Sequence, residues 1–301
     1  MKPPFQYMGA KVELSARWAS RLPEHRTYVE PFGGSAAMLF AKQPSEREIV
    51  SDKWYWLINF HQVVRDDVDG LLARLGSEKK VSRNDWSAAF HRVKNDWRSA
   101  PPEDAATFLT YVSGSYAGKV CPTDSWFSIR TAQGVFQTRN RRASFQKAKI
   151  DLVCRRIQQC SVRAKGVEFL IEDGCDLIVE HRDDRGALLF IDPPYLSARL
   201  GGSRAQSRGY YYSDVSHERI MQSLSGLKGA AMVTIGQGDV WFWEDFFSSE
   251  GWLCADTMTY NGRVSNIRAS HSVYTKGFDE EASAQLPLSG WDRAALERKN
   301  G

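Results

Sequence analysis

Ala187-Leu188-Leu189-Phe190-Ile191-Asp192-Pro193-Pro194-Tyr195 is an unbroken apolar run that stops on a carboxylate and two prolines. Five consecutive apolar residues bounded by turn formers suit a central strand buried on both faces of a parallel sheet. In such sheets ligands gather at the carboxyl ends of the strands, where Asp192 stands. The composition of the turn fits one chemical task. An aromatic exocyclic amine is a poor nucleophile, because its lone pair is delocalised into the ring. Two acceptors aimed at its two N–H bonds favour a pyramidal nitrogen and free that pair. The Asp192 carboxylate and the Pro193 carbonyl are two such acceptors, and the prolines fix φ and remove competing donors. Tyr195 adds a flat face on which a base can stack.

Working upstream, Thr27-Tyr28-Val29 reads as a short strand running into Glu30-Pro31-Phe32-Gly33-Gly34-Ser35, and residues 36–42 read as a helix. Glycines between strand and helix let backbone approach a ligand closely, since no Cβ intrudes. A second strand, Glu48-Ile49-Val50-Ser51-Asp52, ends on an acid 22 positions after Glu30, where a carboxylate can meet ribose hydroxyls. A helix over 54–64 follows. The β-α-β-α rhythm opens a doubly wound sheet. The loop lacks G-x-G-x-x-G, and Glu30 would repel a pyrophosphate. It suits a ligand with positive charge and no phosphate, which favours S-adenosylmethionine (SAM) over NAD or ATP.

From residue 66 to 165 the rhythm breaks into polar helices and a Gly/Ser-rich piece, 113–136, with room for a hairpin. Strand and helix alternation resumes with strands near 167–171, 187–191, 230–235, 253–260 and 270–275, and helices near 175–181 and 216–227. We therefore expect an α/β catalytic domain over 1–65 and 166–278, an inserted, mainly helical domain over 66–165, and a polar tail over 279–301 with one helix at 291–299. Of the 301 residues, 40 are Lys or Arg and 36 Asp or Glu. Residues 119–165 hold 11 of the former and 2 of the latter, so this segment carries +9 and the remainder −5. That asymmetry points to a phosphate-binding surface. Arg130, Arg139, Arg141 and Arg142 are its candidate DNA contacts, joined by Arg208 and Tyr212 in the long Gly/Ser/Arg loop 197–213 after the Pro-Pro turn.

The N-terminal residues lack the apolar stretch of a signal peptide, and no run approaches the roughly 20 apolar residues of a membrane span. The expectation is a soluble, cytoplasmic protein. Cysteines 121, 154, 160, 175 and 254 form no C-x-x-C pair, and histidines 25, 61, 91, 181, 217 and 271 form no metal spacing. Reduced thiols and a metal-free reaction are expected, and the absence of H-x-E with P-C-x-x-C argues against a zinc deaminase. Ten tryptophans and eleven tyrosines exceed what a core of this size needs, leaving rings for stacking on bases.

The motif order resembles the Dam-type, D12 class, SAM-dependent DNA adenine methyltransferases. The resemblance rests on Tyr7-Met8-Gly9-Ala10-Lys11, Val29-Glu30-Pro31-Phe32-Gly33-Gly34-Ser35, Asp52, and Asp192-Pro193-Pro194-Tyr195, and spans most of residues 5–275. It implies a Rossmann-like methyltransferase sheet with a helical target-recognition insert, SAM as methyl donor and double-stranded DNA as partner. It further implies that Tyr7, Lys11, Glu30, Phe32, Gly33, Gly34 and Ser35 contact SAM and that Asp52 holds its ribose. An acid after the third strand, Asp173 with Glu172 as its neighbour, would meet the adenine of SAM. Asp192, Pro193 and Tyr195 would hold a flipped-out target adenine. Tyr7 stands where the family often has tryptophan, and Lys53-Trp54 replaces a small polar pair. Competing expectations are a relative that binds SAM or DNA without turnover, and an RNA methyltransferase with the same acceptor motif.

Overall fold

A computed structural model of the chain describes residues 1–5, 7, 9–76, 83–96, 100–114, 147–196, 216–261 and 268–279. The possible hairpin beyond 114, the loop 197–213 and the helix at 291–299 lie outside the described residues.

In chain order the described elements are α1 (Val12–Trp18), β1 (Thr27–Glu30), α2 (Ala37–Ala41), β2 (Arg47–Ser51), α3 (Tyr55–Asp66), α4 (Val68–Gly76), α5 (Arg83–Asn95), α6 (Ala105–Gly114), α7 (Lys147–Ala164), β3 (Glu168–Leu170), α8 (Gly174–His181), β4 (Ala187–Ile191), α9 (His217–Leu224), β5 (Ala230–Gly236), α10 (Val240–Ser249), β6 (Leu253–Asn261) and β7 (Arg268–Lys276). The seven strands form one sheet in the order β3-β2-β1-β4-β5-β7-β6. The pairs among β3, β2, β1, β4 and β5 are parallel; β7 runs antiparallel between β5 and β6.

The apolar run 187–191 is β4, buried at every position. Its side chains alternate between two cores, as the two-residue period of a strand requires. Leu188 and Phe190 join Tyr28, Val50 and Met232 on one face, under α2, α3, α6 and α7. Leu189 and Ile191 join Val29, Ile49 and Val233 on the other, under α8, α9 and α10. Both faces are covered, which is why the central strands read as continuous apolar runs rather than alternating ones. The result is a Rossmann-like α/β architecture.

Segment 66–165 supplies α4 to α7, and its apolar residues join the first core. Trp86, Phe90, Phe108, Tyr111 and Ile157 cluster with Phe5, Trp56 and Phe60. A buried ionic knot also ties α7 to the sheet: Glu48 of β2 accepts from Arg163 Nη2 (2.7 Å) and from Lys42 Nζ (2.6 Å). Helix α1 has no counterpart among the elements expected from sequence. It is short, and its buried side chains are Leu14, Ser15 and Trp18, too few to set a period against the polar residues around them.

The strand order reverses between β1 and β4. From β1 the chain crosses to β2 and β3 on one side; β4 and β5 lie on the other. Helices that follow strands on opposite sides of this point diverge, leaving a crevice at the carboxyl ends of β1 and β4.

Candidate active site

That crevice is a cavity lined by both motifs at once. Its wall includes Tyr7, Gly9 and Lys11 from the N-terminal segment, Glu30 to Ser35 after β1, Asp52 to Trp54 after β2, Gly174, and Asp192 to Tyr195 after β4.

The glycine turn is shaped by its neighbours. A Cβ on Gly33 would lie 2.4 Å from Val50 Cγ1 and 3.0 Å from the Ser51 carbonyl oxygen, so no larger residue fits without moving β2. The Gly33 amide donates to Ser51 O at 2.7 Å. Gly34 adopts φ +49°, a left-handed conformation that glycine enters without steric penalty. Ala36, just before α2, also has a positive φ, +53°, a strained geometry of the kind that clusters at functional sites. The Gly34 peptide is held from both ends. Its N–H donates to Asp52 Oδ2 (3.1 Å) and its carbonyl lies 3.0 Å from His61 Nε2. The other Asp52 oxygen accepts from the Trp54 amide at 2.9 Å. Burial raises the Asp52 pKa, and these two amides oppose the shift. His61 is fully buried on α3, stacks on Phe169 at 5.2 Å, and is driven down to about 4 by burial against the pull of the Gly34 carbonyl. It is therefore neutral at physiological pH.

Asp192 faces into the cavity and collects three donors. Lys11 Nζ donates to Oδ2 at 2.8 Å, while Thr234 Oγ1 (2.5 Å) and Tyr195 OH (3.2 Å) approach Oδ1. Lys11 is 6% exposed, also bonds the Gly9 carbonyl at 2.8 Å, and lies 5.1 Å from the centre of the Tyr195 ring. The Tyr195 hydroxyl is 2.7 Å from His271 Nδ1. His271 lies on β7 opposite Gly236 of β5. Burial, then the Lys11 charge, push its pKa down to about 4, with Asp192 pulling the other way.

In the same cavity wall, at the end of β1, Glu30 is 2% exposed. Its Oε2 accepts from Tyr28 OH (2.8 Å) and from the Leu39 amide (3.3 Å). Burial raises its pKa to about 8 despite those bonds, with the nearby Asp192 charge adding to the rise. The side chain expected from sequence to be a carboxylate is thus largely protonated at neutral pH. Asp173 behaves in the opposite way. It caps α8 by accepting from the Cys175 amide (2.8 Å) and pairs with Lys53 (2.6 Å) and Arg219 (2.8 Å). Burial acts to raise its pKa, but the Lys53, Cys175 and Arg219 bonds outweigh that and bring it to about 2.

A model of the D12 class N6 adenine-specific DNA methyltransferase family matches residues 7–256. The chain belongs to that family. Among curated proteins, none matches it. The protein is an adenine-specific DNA methyltransferase, and DNA is its substrate.

The methyltransferase cavity brings together Tyr7, Lys11, Glu30, Phe32, Gly33, Gly34, Ser35 and Asp52 with Asp192, Pro193 and Tyr195. Asp173 stands beside this wall rather than in it: the cavity is lined by its neighbour Gly174 and its ion-pair partner Lys53. Glu172 is exposed. Arg130, Arg139, Arg141, Arg142, Arg208 and Tyr212 lie outside the described residues.

Four residues that touch the motifs are not marked as site residues by the sequence. His61 holds Gly34, Thr234 and Tyr195 share an oxygen of Asp192, His271 meets Tyr195, and His217 Nε2 is 2.8 Å from the Pro194 carbonyl. Only Thr234 leaves a local signal, as the single polar residue in the apolar run 230–235. Among the described residues, no group of three or more His, Cys, Asp and Glu is placed to hold a metal ion, and no helix is long and apolar enough to cross a membrane.

Proposed function

We propose that this methyltransferase uses SAM to methylate the N6 amine of an adenine turned out of duplex DNA, at a specific sequence. The observation that carries the reading is the single cavity shared by the glycine turn and the Asp192 cluster. Its donor set suits SAM. The two lysines at its wall, Lys11 and Lys53, are already paired with Asp192 and Asp173, leaving no side-chain cation in the glycine turn for a pyrophosphate. Asp52 instead offers oxygens to ribose hydroxyls, and Glu30 a buried carboxyl that an adjacent ammonium would draw into its ionised form. The bare backbone at Gly33 and Gly34 permits close approach of the methionine portion, with Tyr7 packed beside Gly34. When bound, SAM supplies an electrophilic methyl on a sulfonium.

The chain's own residues then do the rest. Asp192 and the Pro193 carbonyl accept the two N–H bonds of the target amine and localise its lone pair. Lys11 and Thr234 hold the Asp192 carboxylate in place. Tyr195, oriented by His271, provides the face on which the flipped base stacks. We assign target recognition to segment 66–165 and to loop 197–213. Arg130, Arg139, Arg141, Arg142 and Arg208 would serve as phosphate or base contacts and Tyr212 as a stacking ring.

The test is transfer from methyl-labelled SAM to unmethylated duplex DNA, with unlabelled RNA as competitor. Label recovered as N6-methyladenine and insensitive to RNA is the expected outcome. Label confined to RNA, or SAM and DNA binding without transfer, would replace this reading.

A further inference from the structure

His217 is 1% exposed at the start of α9, outside every motif, yet both of its ring nitrogens are committed. Trp243 Nε1, on α10, donates to His217 Nδ1 over 2.9 Å. An indole nitrogen is a donor only, so Nδ1 carries no proton and the ring is the neutral Nε2–H tautomer. An imidazolium, or the other tautomer, would set two N–H groups against each other. The Nε2–H therefore donates across 2.8 Å to the Pro194 carbonyl, in the heart of the acceptor turn. The Trp243 ring is itself held by a stacked contact with Phe247 at 5.3 Å, in the second core.

This bond has a consequence for the carbonyl one residue earlier. The angle between the Pro193 and Pro194 carbonyls is set by φ and ψ of Pro194; its ring fixes φ, and the His217 bond, by holding the Pro194 carbonyl, restrains ψ. Fixing the Pro194 carbonyl against α9 therefore fixes the direction of the Pro193 carbonyl relative to the cavity that Pro193 lines. We propose that His217 is a positioning residue for the reaction: its Nε2–H, held in that tautomer by Trp243, anchors Pro194 and so aims the Pro193 carbonyl at the target amine. The proposal rests on Pro193 being an acceptor for that amine.

The experiment compares full-length wild type with His217→Leu, His217→Gln and Trp243→Phe. Three readouts are needed: kcat for adenine methylation, the equilibrium constant for SAM, and the tautomer of a ¹⁵N-labelled imidazole. The expected result is the Nε2–H tautomer in wild type, with kcat lowered on the order of 100-fold in the leucine variant at unchanged SAM affinity. Glutamine, which restores a donor near the Nε2 position, should recover most of that loss, and Trp243→Phe should lower kcat in the same direction. A folded leucine variant with wild-type kcat, a glutamine variant no better than leucine, or an Nδ1–H tautomer would overturn it. Should the leucine variant fail to fold, the glutamine and Trp243 variants and the wild-type spectrum still decide. Absence of transfer by the wild type itself would mark failure of the proposed reaction, and the tautomer would then report on the His217–Pro194 bond alone.

Discussion

At the scale of single residues, Glu30 and Asp192 face the same cavity with opposite surroundings. Asp192 is met by an ammonium and two hydroxyls, whereas Glu30 is met by a phenol and one amide in a buried pocket. The Glu30 pKa of about 8, against an ordinary 4.5, makes stability depend on pH. Above the ordinary value the unfolded chain releases a proton that the folded chain keeps. The contribution is fully present at acid pH and is lost as pH rises towards about 8. Glu30→Gln removes this dependence. Its melting temperature, relative to wild type, should rise progressively between about pH 5 and about pH 8, by the equivalent of on the order of a few kcal/mol. A gap that stays constant across that range would show that Glu30 is ionised when folded. The residues legible in sequence are those whose chemistry is local: the glycine turn, Asp52 and the Pro-Pro turn announce themselves within a few positions. His61, His217 and His271 do not, because each reaches its motif partner across the sheet or between layers. A lone histidine in a strand or helix carries no mark of which carbonyl or hydroxyl it will meet.

At the scale of elements, two contacts set the cavity's walls. Gly33 sits against β2, and a Cβ there would strike Val50 and the Ser51 carbonyl. Gly33→Ala should cost about 1–3 kcal/mol of stability by displacing the turn. It should also weaken SAM binding, measured by calorimetry, by at least about ten-fold; unchanged affinity would mean that the turn does not touch the ligand. The second contact is the Lys42–Glu48–Arg163 knot between α2, β2 and α7. Glu48→Ala strands two buried cations and should destabilise by about 3–5 kcal/mol in chemical denaturation. A loss under about 1 kcal/mol would show the knot to be solvated. Strand positions are readable because the central strands are buried on both faces, and two helices, α8 and α9, open on side-chain caps. Asp173 and Ser216 each accept an amide at the start of their helix. What sequence does not convey is that the helices of segment 66–165 share the core of α3. An apolar helical face fixes a period, not the partner that covers it.

At the scale of the whole molecule, strand order does the organising. The reversal between β1 and β4 places the glycine turn and the Asp192 turn side by side, though more than 150 positions separate them in the chain. Charge is divided in a similar way, with +9 concentrated in residues 119–165 and −5 spread over the remainder. If that segment binds DNA phosphates, log affinity for DNA should fall linearly with log salt. Replacing Arg139, Arg141 and Arg142 together by alanine should lower the slope by about 0.9 for each phosphate that is no longer neutralised, while SAM binding is untouched. An unaltered slope would place the phosphate surface elsewhere. The central claim, that Asp192 prepares an adenine amine for methylation, is tested most directly by sequencing modified bases in DNA from a methylation-free host expressing the protein. Wild type should leave N6-methyladenine at one recurring sequence, and folded Asp192→Ala should leave none. N6-methyladenine persisting with Asp192→Ala, or wild-type methylation found on cytosine, would contradict the account.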